Sequence, residues 1–202
     1  MTHRLSVAGL RCGRGERALF APLDFVADDG DIVRISGTNG AGKSTLLHTL
    51  AGLLSPISGT IDWCPDANEA VPSLGLIEHQ NALSQVLSPV ENLTLLSRLA
   101  HPASRIDQAT IVDTLETLGL RRLAHQPTHT LSAGQKRRVT LARLWLIAPR
   151  VWLLDEPVAA LDSAARRRVS QRITRLAGGG SVIVYTTHER MGLGDTRCVA
   201  LD

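Results

Sequence analysis

The chain has 202 residues, of which 44% are hydrophobic and 20% are charged, so it is long and apolar enough to bury a sizeable core. Its net charge of +3 is too small to indicate, by itself, a nucleic-acid-binding protein. The three scattered cysteines include no Cys-x-x-Cys pair, which argues against a disulfide framework or a zinc site and favours a reducing compartment.

The N-terminal part contains three short apolar runs that predict strands, at Leu5–Leu10, Leu23–Ala27 and Ile32–Ser36. The third run is continuous and aliphatic, which is typical of a parallel strand buried on both faces. No window here or later has the length of a signal peptide or of a membrane-spanning helix, so we expect neither.

The stretch ISGTNGAGKSTLL follows the third predicted strand and opens a helix predicted from Lys43 to about Gly52. Its spacing, Gly37-x-x-x-x-Gly42-Lys43-Ser44, fits a phosphate loop in the structural context that this motif requires. Lys43 is expected to reach the β- and γ-phosphates of a nucleotide, and Ser44 to bind Mg²⁺. The predicted nucleotide-binding residues of the loop are Gly37, Thr38, Asn39, Gly40, Ala41, Gly42, Lys43, Ser44 and Thr45.

The pattern changes after the next predicted strand, Leu74–Ile77. Residues 88–129 contain two helical patterns and no convincing strand. We therefore predict a small α-helical subdomain at 88–129, inserted into an α/β core made of residues 1–87 and 130–202.

The stretch LSAGQKRRVTLARLWLIAPRVWLLDEP predicts a helix over Ser132–Ile147 and then a buried strand, Val151–Leu154, which ends at Asp155 and Glu156. The end of that strand would place Asp155 beside the phosphate loop, where it would hold Mg²⁺ through water. Glu156 is then the predicted general base for an attacking water. Adjacent acids can also simply cap a following helix.

The last part predicts a helix after Asp162 that ends at the glycines 178–180, and two strands, Val182–Thr186 and Cys198–Leu201. His188 follows the first of these strands. Strands that alternate with helices in this way predict the α/β class with a largely parallel sheet.

The chain carries, in this order, the motifs GxxxxGKS, Gln80, LSAGQ, LLDEP, Leu161-Asp162 and Thr187-His188. This series resembles ATP-binding cassette (ABC) nucleotide-binding domains over essentially the whole chain. The resemblance implies one domain over residues 1–202 with a P-loop NTPase (RecA-like) core, an N-terminal antiparallel β portion and the inserted helical subdomain. It also implies an ATPase that uses ATP and Mg²⁺. In that family two cassettes form a head-to-tail dimer, here expected to be a homodimer.

The LSAGQ turn raises a separate question, because the chain already has a phosphate loop. The resemblance implies that Ser132, Gly134 and Gln135 face the ATP bound by the partner cassette rather than the ATP of their own chain. A helix N-terminus suits that task, since its free N–H groups attract anions. Ser132 and Gln135 also fit a local capping box, which does not exclude the first interpretation.

Three further residues take roles from the resemblance. Gln80 is expected to reach Mg²⁺ or the attacking water, and His188 to contact the γ-phosphate and organise Glu156. Asp162 is expected to signal across the dimer. The plain alternatives are a solvent-facing loop for Gln80, a strand-edge position for His188 and a helix N-cap for Asp162.

The sequence departs from the family pattern at several positions. Ala133 stands where Gly is usual, and Ala160 where Ser is common. The aromatic residue that normally stacks on adenine is missing. Arg14 is proposed in its place, with its guanidinium over the adenine face, although a solvated loop arginine is the alternative.

The run of arginines before Leu-Trp-Leu further resembles the ATP-binding subunits of cytochrome c maturation haem exporters, although Glu78 stands where Gly is expected. This implies integral membrane partners of the CcmB/CcmC type, a peripheral place on the cytoplasmic face of the inner membrane, and no nucleic-acid partner. A soluble ABC ATPase acting on DNA or ribosomes, and a degenerate cassette that binds ATP without turnover, are the alternatives.

Overall fold

The computed structural model describes residues 4–14, 17–64, 73–100, 106–187, 191–195 and 197–201, except the side chain of Arg14. The chain divides into two compact units. The first comprises Met1–Glu78, Pro149–Pro157 and Thr174–Asp202, and the second His79–Ala148 and Val158–Ile173.

The first unit holds every strand of the described residues. These are β1 (Leu5–Arg11), β2 (Gly13–Arg14), β3 (Arg17–Ala18), β4 (Leu23–Ala27), β5 (Ile32–Ser36), β6 (Ser58–Trp63), β7 (Leu74–Ile77), β8 (Val151–Asp155), β9 (Val182–Thr186) and β10 (Arg197–Ala200). Helix α1 (Lys43–Leu50) follows β5.

Two main sheets organise this unit. Five strands form a parallel sheet in the order β10-β5-β9-β8-β7, while β4-β1-β6 form an antiparallel sheet and β2-β3 a short antiparallel hairpin. Every residue of β8 and β9 is buried, as expected for parallel strands covered on both faces. The predicted α/β class, with its parallel sheet and N-terminal antiparallel portion, is therefore confirmed.

Gly75 and Trp152 form a tight contact in the parallel sheet. They are direct partners in the β7–β8 pairing, and Trp152 is among the largest fully buried side chains. A Cβ atom at Gly75 would lie 2.7 Å from Cε3 and Cζ3 of the Trp152 ring. Only a glycine leaves room for the indole at this point.

The second unit is helical. It contains α2 (Pro89–Ala100), α3 (Gln108–Thr117), α4 (Ala133–Leu141), α5 (Arg143–Leu146) and the larger part of α6 (Ser163–Gly178). The predicted helical segment 88–129 lies in this unit. Its core is built from aliphatic side chains of α2, α3 and α4, among them Leu93, Ile111 and Val139.

Several elements differ from the sequence-based prediction. Strands β2 and β3 were not predicted, because two residues each are too few to show a pattern. Strand β6 was not predicted either, because most of its residues are exposed and show no apolar alternation. The single helix predicted over Ser132–Ile147 is divided at Ala142 into α4 and α5. The N–H of Ala142 donates to both Arg138 O and Val139 O, which tightens the helix at that turn.

No helix in the part of the chain that the structure describes is long and apolar enough to cross a membrane.

Candidate active site

The phosphate loop joins β5 to α1 through a backbone that needs glycine. Gly42 is the N-cap of α1 and has φ 101°, in the left-handed region that residues with a Cβ rarely adopt. A Cβ there would also lie 3.0 Å from the Phe20 ring. The loop therefore turns sharply into the helix, and the first N–H groups of α1 remain available to an anion.

Lys43 is almost fully buried, with 6% of its surface exposed. Its Nζ donates hydrogen bonds to Gly37 O and Thr38 O, both at 2.9 Å. These bonds draw the loop around the ammonium group. The side chain thus supplies a positive charge inside the loop, where a polyphosphate would need it.

The predicted carboxylates lie at the end of β8, within the same unit as the loop. Asp155 is 6% exposed, and its Oδ2 accepts a hydrogen bond of 2.6 Å from the Ser44 hydroxyl. Ser44 and Asp155, both predicted to bind the metal ion, are therefore in direct contact, although they are 111 positions apart in the chain.

Thr186 is a residue of this site that the sequence analysis missed. Its Oγ1 donates to Asp155 Oδ1 at 2.5 Å and accepts from the N–H of Glu156 at 3.0 Å. Thr186 lies opposite Asp155 in the β8–β9 pairing. A hydroxyl residue at the carboxyl end of the strand next to β8 is the signal that could have identified Thr186. Using that signal requires the strand order, which the sequence does not give.

Glu156 has an unusual backbone conformation, with φ 45°. For a residue with a side chain this conformation is unfavourable, by about 1–3 kcal/mol, and it is often found at functional sites. Its side chain lines a cavity of about 440 Å³ together with the loop and Asp155. The residues that line this cavity are Leu19, Asn39, Gly40, Gly42, Lys43, Ser44, Thr45, Asp155 and Glu156.

A second cavity, of about 570 Å³, is lined by the outer part of the loop. Gly37, Thr38, Asn39, Gly40 and Ala41 line it with Leu19 and Leu201. Leu19 thus borders both cavities with an apolar side chain. The arrangement can enclose a phosphate chain in a pocket lined by one buried cation, two hydroxyl residues and two carboxylates.

The LSAGQ turn, residues 131–135, is called the signature turn and belongs to the second unit. Ser132 is the N-cap of α4: its hydroxyl accepts from Gln135 N, and Gln135 Oε1 accepts from Ser132 N at 2.8 Å. This is the capping box that Ser132 and Gln135 predict from the sequence. Because Ser132 is exposed, capping α4 does not exclude a contact with ATP of a partner cassette. A Cβ at Gly134 would lie 3.1 Å from Ala160 O, so the turn packs closely on that carbonyl.

The remaining predicted residues are spread over the chain. Gln80 lies in the second unit and is exposed. Asp162, in the same unit, caps α6 by accepting a 2.7 Å bond from Ala165 N, which holds the pKa of its carboxyl below the usual value. His188 lies outside the described residues, as does the side chain of Arg14. Their roles stay predictions.

Comparisons with known proteins identify the family of the chain. The ABC transporter family model matches residues 20–159. Cytochrome c biogenesis ATP-binding export proteins CcmA are similar to the chain. That of Pseudomonas putida (strain GB-1) is 43% identical over 95% of this chain and 92% of the relative, and that of Nitrobacter hamburgensis 41% identical over 94% of each.

Solved structures share the fold. The ATP-binding cassette MJ0796, in a dimeric post-hydrolysis state with ADP and Pi, superposes with a TM-score of 0.83 at 23% identity, covering 98% of this chain and 94% of the cassette. The family match includes the phosphate loop, the signature turn and both carboxylates. The chain therefore belongs to the ABC transporter family, as an ATP-binding ATPase subunit of the cytochrome c biogenesis export type.

Proposed function

We propose that the chain hydrolyses ATP with Mg²⁺ as half of a head-to-tail cassette dimer that drives a membrane complex in cytochrome c biogenesis. The observation that supports this best is the contact between the Ser44 hydroxyl and Asp155, at a cavity lined by the phosphate loop and Glu156. That contact joins the loop to the carboxylates that hydrolysis needs.

The residues fit a magnesium ion. Mg²⁺ prefers oxygen ligands, and the Ser44 hydroxyl and Asp155 carboxylate place two oxygen donors together beside the loop. Ser44 would bind the ion directly, Asp155 through water, and Gln80 would complete the set. An Mg²⁺ ion held by these residues would supply positive charge that neutralises the phosphates during hydrolysis.

Each remaining residue of the first unit has a defined task in the proposed reaction. The loop N–H groups and Lys43 hold the β- and γ-phosphates. Glu156 takes a proton from the attacking water, and His188 contacts the γ-phosphate and orients Glu156. Arg14 is proposed to cover one face of the adenine with its guanidinium group.

The signature turn is proposed to act on the second copy. Ser132, Gly134 and Gln135 present a helix N-terminus to the γ-phosphate held by the partner's loop, and Asp162 lies at the same interface. The capping box holds the turn in shape for this task. The dimeric state of the cassette with ADP and Pi supports such a pairing.

The names of the relatives support a proposed membrane role. These relatives are export proteins of cytochrome c biogenesis, so we propose integral membrane subunits of the CcmB/CcmC type as partners and haem as the exported group. The chain would then act at the cytoplasmic face of the inner membrane. Dimer closure on ATP and opening after hydrolysis would supply the movement.

The test is Glu156→Gln, which keeps the shape of the side chain and removes the base. We expect ATP binding to persist and steady-state ATPase activity to fall by about 10²–10⁴-fold. Glu116→Gln, at an exposed position of α3, is the control and should leave turnover unchanged. Normal turnover in Glu156→Gln would refute the assignment of the base.

A further inference from the structure

We infer that Thr186 is a positioning residue for ATP hydrolysis, whose hydroxyl fixes Glu156 relative to Asp155. The inference rests on the proposed role of Glu156 as the base. Thr186 has no exposed surface and contacts both acids, one through its carboxylate and the other through its backbone.

The direction of the two hydrogen bonds follows from the chemistry of the groups. A backbone N–H can only donate, so Thr186 Oγ1 accepts from Glu156. The one hydroxyl proton is then directed to Asp155 Oδ1, 2.5 Å away. A serine or threonine hydroxyl can do both at once, whereas a methyl group of the same size can do neither.

The consequence for Glu156 comes from its backbone. With φ 45°, this residue adopts a conformation that its neighbours must maintain, because an isolated glutamate disfavours it. The bond from its N–H to Thr186 fixes the peptide between the two acids. Glu156 directly follows β8, and the orientation of that peptide sets the direction of its side chain toward the cavity that Lys43 and Ser44 also line.

The experiment compares Thr186→Val with Thr186→Ser in the full-length chain. We expect the valine variant to lose about 10- to 100-fold in kcat, because a small misplacement of a base has such an effect. Its ATP affinity by calorimetry should stay near that of the unchanged chain, and the serine variant should restore most of kcat. Thr114→Val is the matched control, since Thr114 is also buried and its hydroxyl donates to a carbonyl of its own helix, Thr110 O.

A second measurement separates positioning from a general loss of structure. In a Glu156→Gln background, Thr186→Val should cause no further loss of turnover, because it acts through the base that is already gone. An equal loss in both backgrounds would overturn the inference, and so would equal loss in the valine and serine variants.

Two remaining outcomes are also decisive. Normal turnover in Thr186→Val, with an inactive Glu156→Gln, would refute the role of Thr186 and leave the proposed function standing. If the valine variant does not fold, Thr186→Ala removes the same hydroxyl without filling the space. If the alanine variant folds but no longer binds ATP, the hydroxyl serves binding rather than placement of the base, against the inference.

Discussion

At the scale of single residues, the site is a short chain of hydrogen bonds in the first unit. Ser44 and Thr186 each donate to one oxygen of Asp155, so the carboxylate is held from the start of α1 and from the end of β9. The sequence motifs predicted Ser44 and Asp155 as functional residues. They did not predict Thr186, because its role depends on which residue lies opposite Asp155 in the sheet.

Lys43→Ala should weaken ATP binding by about 10- to 100-fold, the usual effect of losing a hydrogen bond to a charged group. The substitution removes the positive charge and also the two bonds that close the loop on Gly37 and Thr38. Calorimetry with ATP measures the effect. Lys136→Ala, on α4, is the control, and an unchanged affinity in Lys43→Ala would contradict the phosphate-loop assignment.

At the scale of elements, the buried strands and most helices could be predicted, since aliphatic runs and helix-start residues are visible in the sequence. Strand β6 could not, because an exposed strand has no apolar alternation to identify it. The division between α4 and α5 was also missed. The residues around Ala142 favour a helix, and the tightening is seen only in the hydrogen bonds.

Ser132→Asp separates the two roles of the signature turn. Aspartate is as good an N-cap as serine, so the melting temperature should change by less than about 3 °C. Its negative charge would repel the partner's γ-phosphate, so ATPase activity should fall while ATP binding stays normal.

The reverse exchange at another helix, Asp107→Ser at the N-cap of α3, is the control for this prediction. It should affect neither stability nor turnover. Full ATPase activity in Ser132→Asp would mean that the turn is a cap and no more.

At the scale of the whole molecule, the strand order decides what the motifs can do. Strand β9 lies between β5, which leads into the phosphate loop, and β8, which ends at the carboxylates. The alternation of aliphatic strands with helices predicted a largely parallel sheet, but periodicity alone cannot give the order β10-β5-β9-β8-β7. That order places Thr186 beside Asp155 and so completes the site.

Linked dimers test whether the signature turn acts on the partner. In the proposed dimer, each ATP site combines the phosphate loop of one copy with the signature turn of the other. A dimer with Lys43→Ala in one copy and Ser132→Arg in the other therefore has both substitutions at the same site and leaves the second site intact. It should retain part of its ATPase activity. A dimer with both substitutions in one copy damages both sites and should be inactive, whereas equal activity of the two dimers would exclude action across the interface.

The contact between Gly75 and Trp152 has an evolutionary consequence. Since a methyl group at position 75 would overlap the indole, the two positions cannot drift independently. A descendant that gains alanine at 75 must first exchange the tryptophan for a smaller side chain. The pair therefore restricts the order in which mutations can be accepted, although neither residue lines the two cavities at the phosphate loop.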